Sequence, residues 1–332
     1  MTRYDDYTFE QFERPRRRTR PRTKDRPSYD DAATGVVVTV DRGRYTCLVE
    51  GRVVTAMKSR PLGRKGVVVG DEVRLVADVS GEEGTLARIV EVSPRRTVLR
   101  RTADDDDPVE RIIVANADQL VIVTALADPE PRPRMIDRAL VAAYDAGIHP
   151  LLCLTKADLV ASGDEADLVG PEPVGLAEYA DLGVPAVTTR RGGELTPLRD
   201  RLAGRVSVLV GHSGVGKSTL VNALVPDAGR ATGVVSAVGR GRHTSSSAVA
   251  LPLPGGGWVI DTPGIRSFGL AHVTAADLLA TFPDLAEGAE DCPRNCAHLS
   301  AADGCRLDEQ VAAGHSTPGR LASFRRLLAA RQ

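Results

Sequence analysis

The stretch 205–224, RVSVLVGHSGVGKSTLVNAL, decides the fold. VSVLV is an apolar run suited to a buried strand, and STLVNAL reads as a helix. Between them Gly211, His212, Ser213, Gly214, Val215, Gly216, Lys217 and Ser218 match the pattern G-x-x-x-x-G-K-[ST] in full. Glycines at these places let backbone N–H groups wrap a phosphate chain, and the helix that follows directs its positive end at it. Lys217 is placed to reach the β- and γ-phosphates and Ser218 to hold Mg²⁺, with Thr219 completing the loop. A nucleotide site in a parallel α/β sheet is therefore expected.

Two neighbouring segments choose the base. Thr155-Lys156-Ala157-Asp158 follows the apolar strand LLCL and resembles a guanine-reading element in two of its key positions. Asp158 would accept hydrogen bonds from guanine N1 and N2, and the stem of Lys156 would pack over the ring. Asp261-Thr262-Pro263-Gly264 follows WVI, which puts Asp261 at a strand end suited to Mg²⁺ and leaves the Gly264 amide to sense a γ-phosphate. Only 5 of the 43 basic residues are lysines, and two of those, Lys156 and Lys217, stand inside these motifs. Thr155 occupies the place where Asn is usual, so a contact to the purine O6/N7 edge and a tie to the phosphate loop are expected to be lost.

The order of the motifs is unusual. A standard GTPase runs phosphate loop, switch I, switch II and then base reader, whereas here 155–158 precede 211–218 and Asp261 comes last. A circularly permuted GTPase domain accounts for this, since compact domains often have neighbouring termini. Around these motifs, QLVIVTAL, PLLCLTKADL and PAVTT read as strands, and PRMIDRALVAAYDAG and TPLRDRLAG as helices.

Before this region the texture changes. GVVVTV, RYTCLVEG, RVVTAMKS, DEVRLVADV and LARIVEVSP, separated by turn signals, suggest a five-stranded barrel of the oligonucleotide-binding (OB) type. Residues 1–33 read as a disordered basic arm, with eight basic residues and one acidic between Arg14 and Arg26. The acidic run Asp104–Asp107 with Pro108 reads as a linker. The expected division is arm 1–33, barrel 34–101, permuted GTPase domain 109–272 and a mainly helical C-terminal domain 273–332.

In that last part Cys292, Cys296, His298 and Cys305 offer three thiols and one imidazole at a spacing that fits a closed, structural Zn²⁺ site. His315 is a more distant substitute with a surface role expected, and Cys47 and Cys153 read as core thiols.

The chain has 332 residues, 42% of them hydrophobic, and a net charge of -1 that averages two unlike parts. Residues 1–101 hold 22 basic and 15 acidic side chains, and 102–332 hold 21 and 29, so the front is the end suited to a polyanion. Arg60, Arg64, Lys65, Arg95, Arg96, Arg100 and Arg101 contribute to the barrel's surplus. Tyr45 is its one aromatic residue, which favours contact with RNA backbone and shape over base stacking. No run approaches the roughly 18 apolar residues of a membrane helix, and the first residues lack a signal-like apolar core, so a cytoplasmic protein is expected.

The combination resembles the ribosome small-subunit-dependent GTPase A family, the RsgA or YjeQ type, over about residues 35–330. GHSGVGKST (211–219), GRGRHTSSS (239–247), DTPGIRSFGL (261–270) and the Cys-Cys-His-Cys cluster carry the resemblance. It implies an OB domain, a permuted GTPase domain and a C-terminal zinc domain, in this order. It implies binding of GTP and GDP with Mg²⁺, one structural Zn²⁺, and attachment to the 30S subunit and its 16S rRNA near the decoding centre. Activity late in subunit maturation, stimulation by the ribosome and release of other assembly factors are implied as well, in a monomer with no membrane partner.

Carried over to this chain, Thr244 would meet Mg²⁺ and γ-phosphate with Ser218 and Asp261, Ser245 being the alternative. Ile265 stands where a conventional GTPase has its water-orienting Gln, and the family's use of a switch I His points to His243 as the catalytic group. The base-specificity loop falls loosely near Val187-Thr188-Thr189. Two other readings remain open at this level. One is a permuted GTPase serving another ribonucleoprotein such as the large subunit. The other is an RNA-binding zinc protein with a vestigial nucleotide site.

Overall fold

The computed structural model describes Tyr29 and residues 31–62, 66–102, 110–160, 179, 182–226, 248–262, 268–270 and 272–330. Most of the arm expected at 1–33 lies outside them, as do His243, Thr244, Ser245, Gly264 and Ile265.

The N-terminal strands are β1 (Ala33–Asp41), β2 (Arg44–Val49), β3 (Arg52–Lys58), β4 (Glu72–Ala77) and β5 (Ala87–Val92). They run in the order β1-β2-β3-β5-β4, and β4 returns to pair with β1, which closes a barrel. Alternation does the work: Val37, Cys47, Val54, Val73, Leu75 and Ile89 face inward as one apolar cluster. Register shifts between Val37 and Thr39 and between Arg74 and Leu75 bend β1 and β4 enough to close it. A side chain at Gly35 would stand 2.7 Å from Val49 Cγ2 and 2.9 Å from the Leu48 carbonyl, so only glycine lets β1 pass there. Burial pushes the Cys47 thiol up to about 12, which leaves it inert.

Charge counting overstated the free basic surface of this part. Arg95 forms a two-pronged pair with the fully buried Asp71, at 2.7 and 2.8 Å, and Asp71 in turn accepts the Val68 N–H at 2.8 Å. Arg95 is thus an internal strut, because a buried carboxylate must have its lone pairs met. Arg96 and Arg100 are paired with Asp118 and Glu110, each at 3.1 Å, though in solvent.

Two strands that the sequence reading did not anticipate follow. β6 (Val98–Thr102) and β7 (Glu110–Ala115) form an antiparallel ribbon on either side of the acidic run read as a linker, the run itself lying outside the described residues. The ribbon bridges the barrel at Val69–Val114 and the GTPase part at Thr102–Gly269.

The GTPase sheet runs β10 (Ala186–Thr188), β9 (His149–Thr155), β8 (Gln119–Ala125), β11 (Val206–Val210), β13 (Trp258–Asp261) and β12 (Val249–Pro252). The pairs from β10 to β13 are parallel; β12 is antiparallel to β13 and meets β1 of the barrel at Thr39–Val249, so one sheet crosses both parts. Every residue of β8 is buried, as a strand covered on both faces must be. Leu120 and Ile122 pack on one side with Ile136 and Leu140 of α1 (Pro133–Asp145). Val121 and Val123 pack on the other with Leu198 of α2 (Thr196–Leu202) and Leu220 of α3 (Lys217–Leu224).

The C-terminal part holds α4 (Ala275–Ala280), α5 (Pro283–Gly288), α6 (Leu307–Ala312) and α7 (Pro318–Ala330). Thr274 and Asp277 cap α4 reciprocally, which satisfies two of its orphan donors. Phe282 meets Phe324 edge-on at 5.4 Å and Tyr144 of α1 at 6.2 Å. These helices therefore share one apolar core with the α1 face of the GTPase sheet. Among the described residues no helix is long and apolar enough to cross a membrane.

Candidate functional site

The phosphate loop leaves β11 at Val210 and enters α3 at Lys217. A side chain at Gly211 would come within 2.5 Å of the Val123 carbonyl, so the loop can pass β8 only as glycine. Gly214 and Gly216 have φ of 87° and 91°, the left-handed region that glycine enters freely. His212 is buried, and its Nδ1 lies 2.8 Å from the Ser213 carbonyl, so the ring donates there while its buried Nε2 has no partner among the described residues.

Parallel pairing of β11 with β13 sets Leu209 beside Asp261 and brings the motif residues together across 44 positions of sequence. Lys217 Nζ stands 2.9 Å from Asp261 Oδ1 and donates to the Thr262 carbonyl at 3.0 Å. Thr262 Oγ1 donates to the Leu209 carbonyl at 2.7 Å, which fixes the chain just after Asp261. Lys217 and Asp261 thus meet at the carboxyl end of the sheet, where open α/β sheets bind their ligands, and Ser218 follows Lys217 in the first turn of α3. An ammonium for phosphate oxygens, a hydroxyl and a carboxylate form a donor set that fits Mg²⁺ with a nucleotide.

The base reader ends β9. Thr155 is buried, and its Oγ1 donates to the Val215 carbonyl of the phosphate loop at 2.6 Å, with the Thr124 carbonyl 3.3 Å away. The expected loss of a tie to the loop is therefore corrected: Thr makes it. A hydroxyl has one proton, and both neighbours here are acceptors, so none is left for a purine. Lys156 takes a left-handed φ of 59° and donates to the Asp128 carbonyl. Asp158 is exposed, and its Oδ1 accepts the Arg191 N–H at 3.1 Å.

Arg191 was missed by the sequence reading, which looked to Val187-Thr188-Thr189 for the loop opposite the base. Val187 and Thr188 belong to β10, and Thr189 is buried with its hydroxyl donating to the Leu154 carbonyl at 3.3 Å. It is the following RRGGE (190–194) that borders the site, a Gly-rich turn whose signal lay in plain view. Thr155, Lys156, Asp158, Arg191, Gly216 and Thr219 line one open cavity of about 730 Å³.

The second cluster lies between α5 and α6. The ligand atoms of Cys292, Cys296, His298 and Cys305 all fall within 4.8 Å of one another. Cys305 Sγ is 3.8 Å from His298 Nδ1, close to the separation that a tetrahedral ion with bonds of about 2.1–2.3 Å imposes. The His298 N–H points to Cys296 Sγ at 3.4 Å and the Arg306 N–H to Cys292 Sγ at 3.3 Å, bonds that favour thiolates. Burial, with Cys292 and Cys296 alongside, pushes the Cys305 thiol up to about 11. Burial and Arg325 lower the His298 pKa, which keeps the imidazole in its neutral, ligating form. The four residues fit one Zn²⁺. His315 is exposed and stands apart from the cluster.

A family model described as RsgA GTPase matches residues 92–271. A protein of Pseudomonas aeruginosa called small ribosomal subunit biogenesis GTPase RsgA is 43% identical over 267 residues, covering 79% of this chain and 75% of its own length. One of the same name from Gemmatimonas aurantiaca is 37% identical over 310 residues, covering 89% and 96%. Among solved structures, YjeQ from Thermotoga maritima is similar at a TM-score of 0.63, with 25% identity over 90% of this chain and 98% of that one. YloQ, described as a circularly permuted GTPase, is similar in fold at 0.62, with 24% identity over 90% and 95%.

Proposed function

The chain belongs to the RsgA GTPase family, and from that premise we propose that it hydrolyses GTP during late maturation of the small ribosomal subunit. On this reading the barrel and the basic arm hold 16S rRNA near the decoding centre of the 30S subunit. The ribosome stimulates turnover, and hydrolysis promotes release of other assembly factors. The division into arm, barrel, permuted GTPase domain and zinc domain at 34, 109 and 273 is part of the proposal, as are a monomeric state and a cytoplasmic setting.

The observation that carries the reading is the joint placement of Lys217 against Asp261 and of Thr155 against Val215, which joins phosphate loop and base reader on one cavity. GTP would lie across it, with Gly211 to Thr219 around the phosphates and Asp158 at the base. Lys217 would exchange the Asp261 carboxylate and Thr262 carbonyl for phosphate oxygens. Mg²⁺, held by Ser218, Asp261 and Thr244, would neutralise charge developing on the phosphates. His243 would orient the attacking water, because the apolar Ile265 has no group to do so, and the Gly264 amide would sense the γ-phosphate.

A nucleotide panel tests the base assignment. Because the Thr155 proton is spent on the phosphate loop, 7-deaza-GTP is expected to bind within about threefold of GTP. Asp158→Asn is expected to lose GTP and gain xanthosine triphosphate, since an amide can donate to the 2-oxo group that replaces the amino group. A ten-fold weaker grip on 7-deaza-GTP, or an Asp158→Asn variant still selective for GTP over ATP, would contradict it.

A further inference from the structure

Helix α7 touches the metal cluster through two consecutive residues. Phe324 is fully buried, with its ring 6.5 Å from and edge-on to that of His298. Arg325 donates from Nε to the His298 carbonyl at 3.1 Å. Its other two nitrogens grip Asp308, Nη1 to Oδ1 at 2.9 Å and Nη2 to Oδ2 at 2.5 Å. Asp308 sits in the first turn of α6, three residues after Cys305. One side chain therefore ties the backbone of one candidate ligand to the helix that begins beside another.

His298 has a φ of 58°. A non-glycine residue in that region is strained by about 1–3 kcal/mol and stays there only when its surroundings hold it. Locally, the His298 N–H has a partner, Cys296 Sγ at 3.4 Å. The His298 carbonyl is held from α7, 27 residues further on.

We propose that Arg325 is the positioning residue of the metal site, holding His298 in the left-handed conformation that turns Nδ1 toward the sulfurs. The proposal rests on the reading of the cluster as a metal site. It assigns a task to a residue that charge counting would place on the solvent face of a helix.

Arg320 of the same helix provides the control. It pairs with Asp284 through Nε at 2.8 and 2.9 Å and lies over Phe282 at 5.0 Å, away from the cluster. Its side chain is as buried as that of Arg325, 27% against 22% exposed. The full-length protein is stripped of metal and titrated with Co²⁺, followed by its visible absorption bands, and with Zn²⁺ in competition with a chromophoric chelator. Arg325→Met is expected to bind Zn²⁺ roughly 10–100-fold more weakly, the loss typical when a partner of a metal ligand is removed. Its Co²⁺ spectrum should change as His298 drifts from the ion. Arg325→Lys, which keeps one donor for the His298 carbonyl but not the fork, should recover part of the affinity. Arg320→Met should remain within about threefold of the unaltered protein. An unaltered protein that takes up neither ion would remove the metal reading and the proposal with it. An Arg325→Met protein with unchanged affinity and spectrum, or an Arg320→Met protein that loses as much, would overturn the proposal alone.

Discussion

Lys217→Ala is expected to weaken GTP binding by about 30- to several-thousand-fold while leaving the fold in place. That range converts the ~2–5 kcal/mol lost when one partner of a buried, hydrogen-bonded charge pair is truncated. Lys217 is 12% exposed and sits between the Asp261 carboxylate and the Thr262 carbonyl, so its ammonium is already desolvated and aimed at the end of β13. Alanine there leaves Asp261 without its cation and the phosphates without theirs. The sheet itself does not depend on the pair, since β11 and β13 are joined by their own ladder and by Thr262 to Leu209. Nucleotide-dependent attachment to the small subunit should disappear in parallel. Calorimetric titration checks the affinity, and a variant within threefold of the unaltered protein would remove Lys217 from the site.

The second large effect concerns the C-terminal part. Cys305→Ser is expected to abolish metal uptake and to unprotect residues 289–330 in hydrogen exchange, while the strands from Gln119 to Asp261 stay protected. Cys305 is 3% exposed and its sulfur lies 3.8 Å from His298 Nδ1, so the change removes one of the cluster's four ligands. In isolated zinc modules the metal supplies roughly 10–16 kcal/mol of folding free energy. This part also leans on the α1 face through Phe282 and Phe324, so the loss should be smaller and should reach α1 itself. Even a few kcal/mol is a large share of the about 5–15 kcal/mol by which a domain is stable. Chelation of the unaltered protein should reproduce the pattern. Protection of 289–330 that survives both treatments would show that the cluster does not need a metal.

The local signals were legible in the chain. Alternating apolar residues marked the five barrel strands, and the phosphate loop announced its own strand, turn and helix. The ribbon β6–β7 was not legible, because VLRRT and ERIIVA are short, carry two charges each, and are divided by a run that reads as a break. β12 has four residues and ends at Pro252, which gives periodicity nothing to work on. Its existence depends on β13 and β1 lying on either side.

The site shows the same division. Spacing named Lys217 and Asp261, but only parallel pairing says that they touch. Thr155 looked like a deficit because its partner, Val215, is 60 residues away and is a backbone carbonyl that no composition can reveal. Arg95 looked like surface charge for a similar reason, since Asp71 lies 24 residues back and is closed off only once β4 pairs with β1. Charge patterns locate a polyelectrolyte face as a whole, whereas the fold decides which of its members are already engaged.

The central claim is that this chain is a small-subunit-stimulated GTPase, and GTP turnover with and without purified 30S subunits tests it most directly, with ATP as the control nucleotide. The account predicts slow turnover by the protein alone, a strong rise on addition of 30S subunits, and no turnover of ATP in either case. Equal rates with and without 30S subunits, or stimulation by 50S subunits instead, would contradict it.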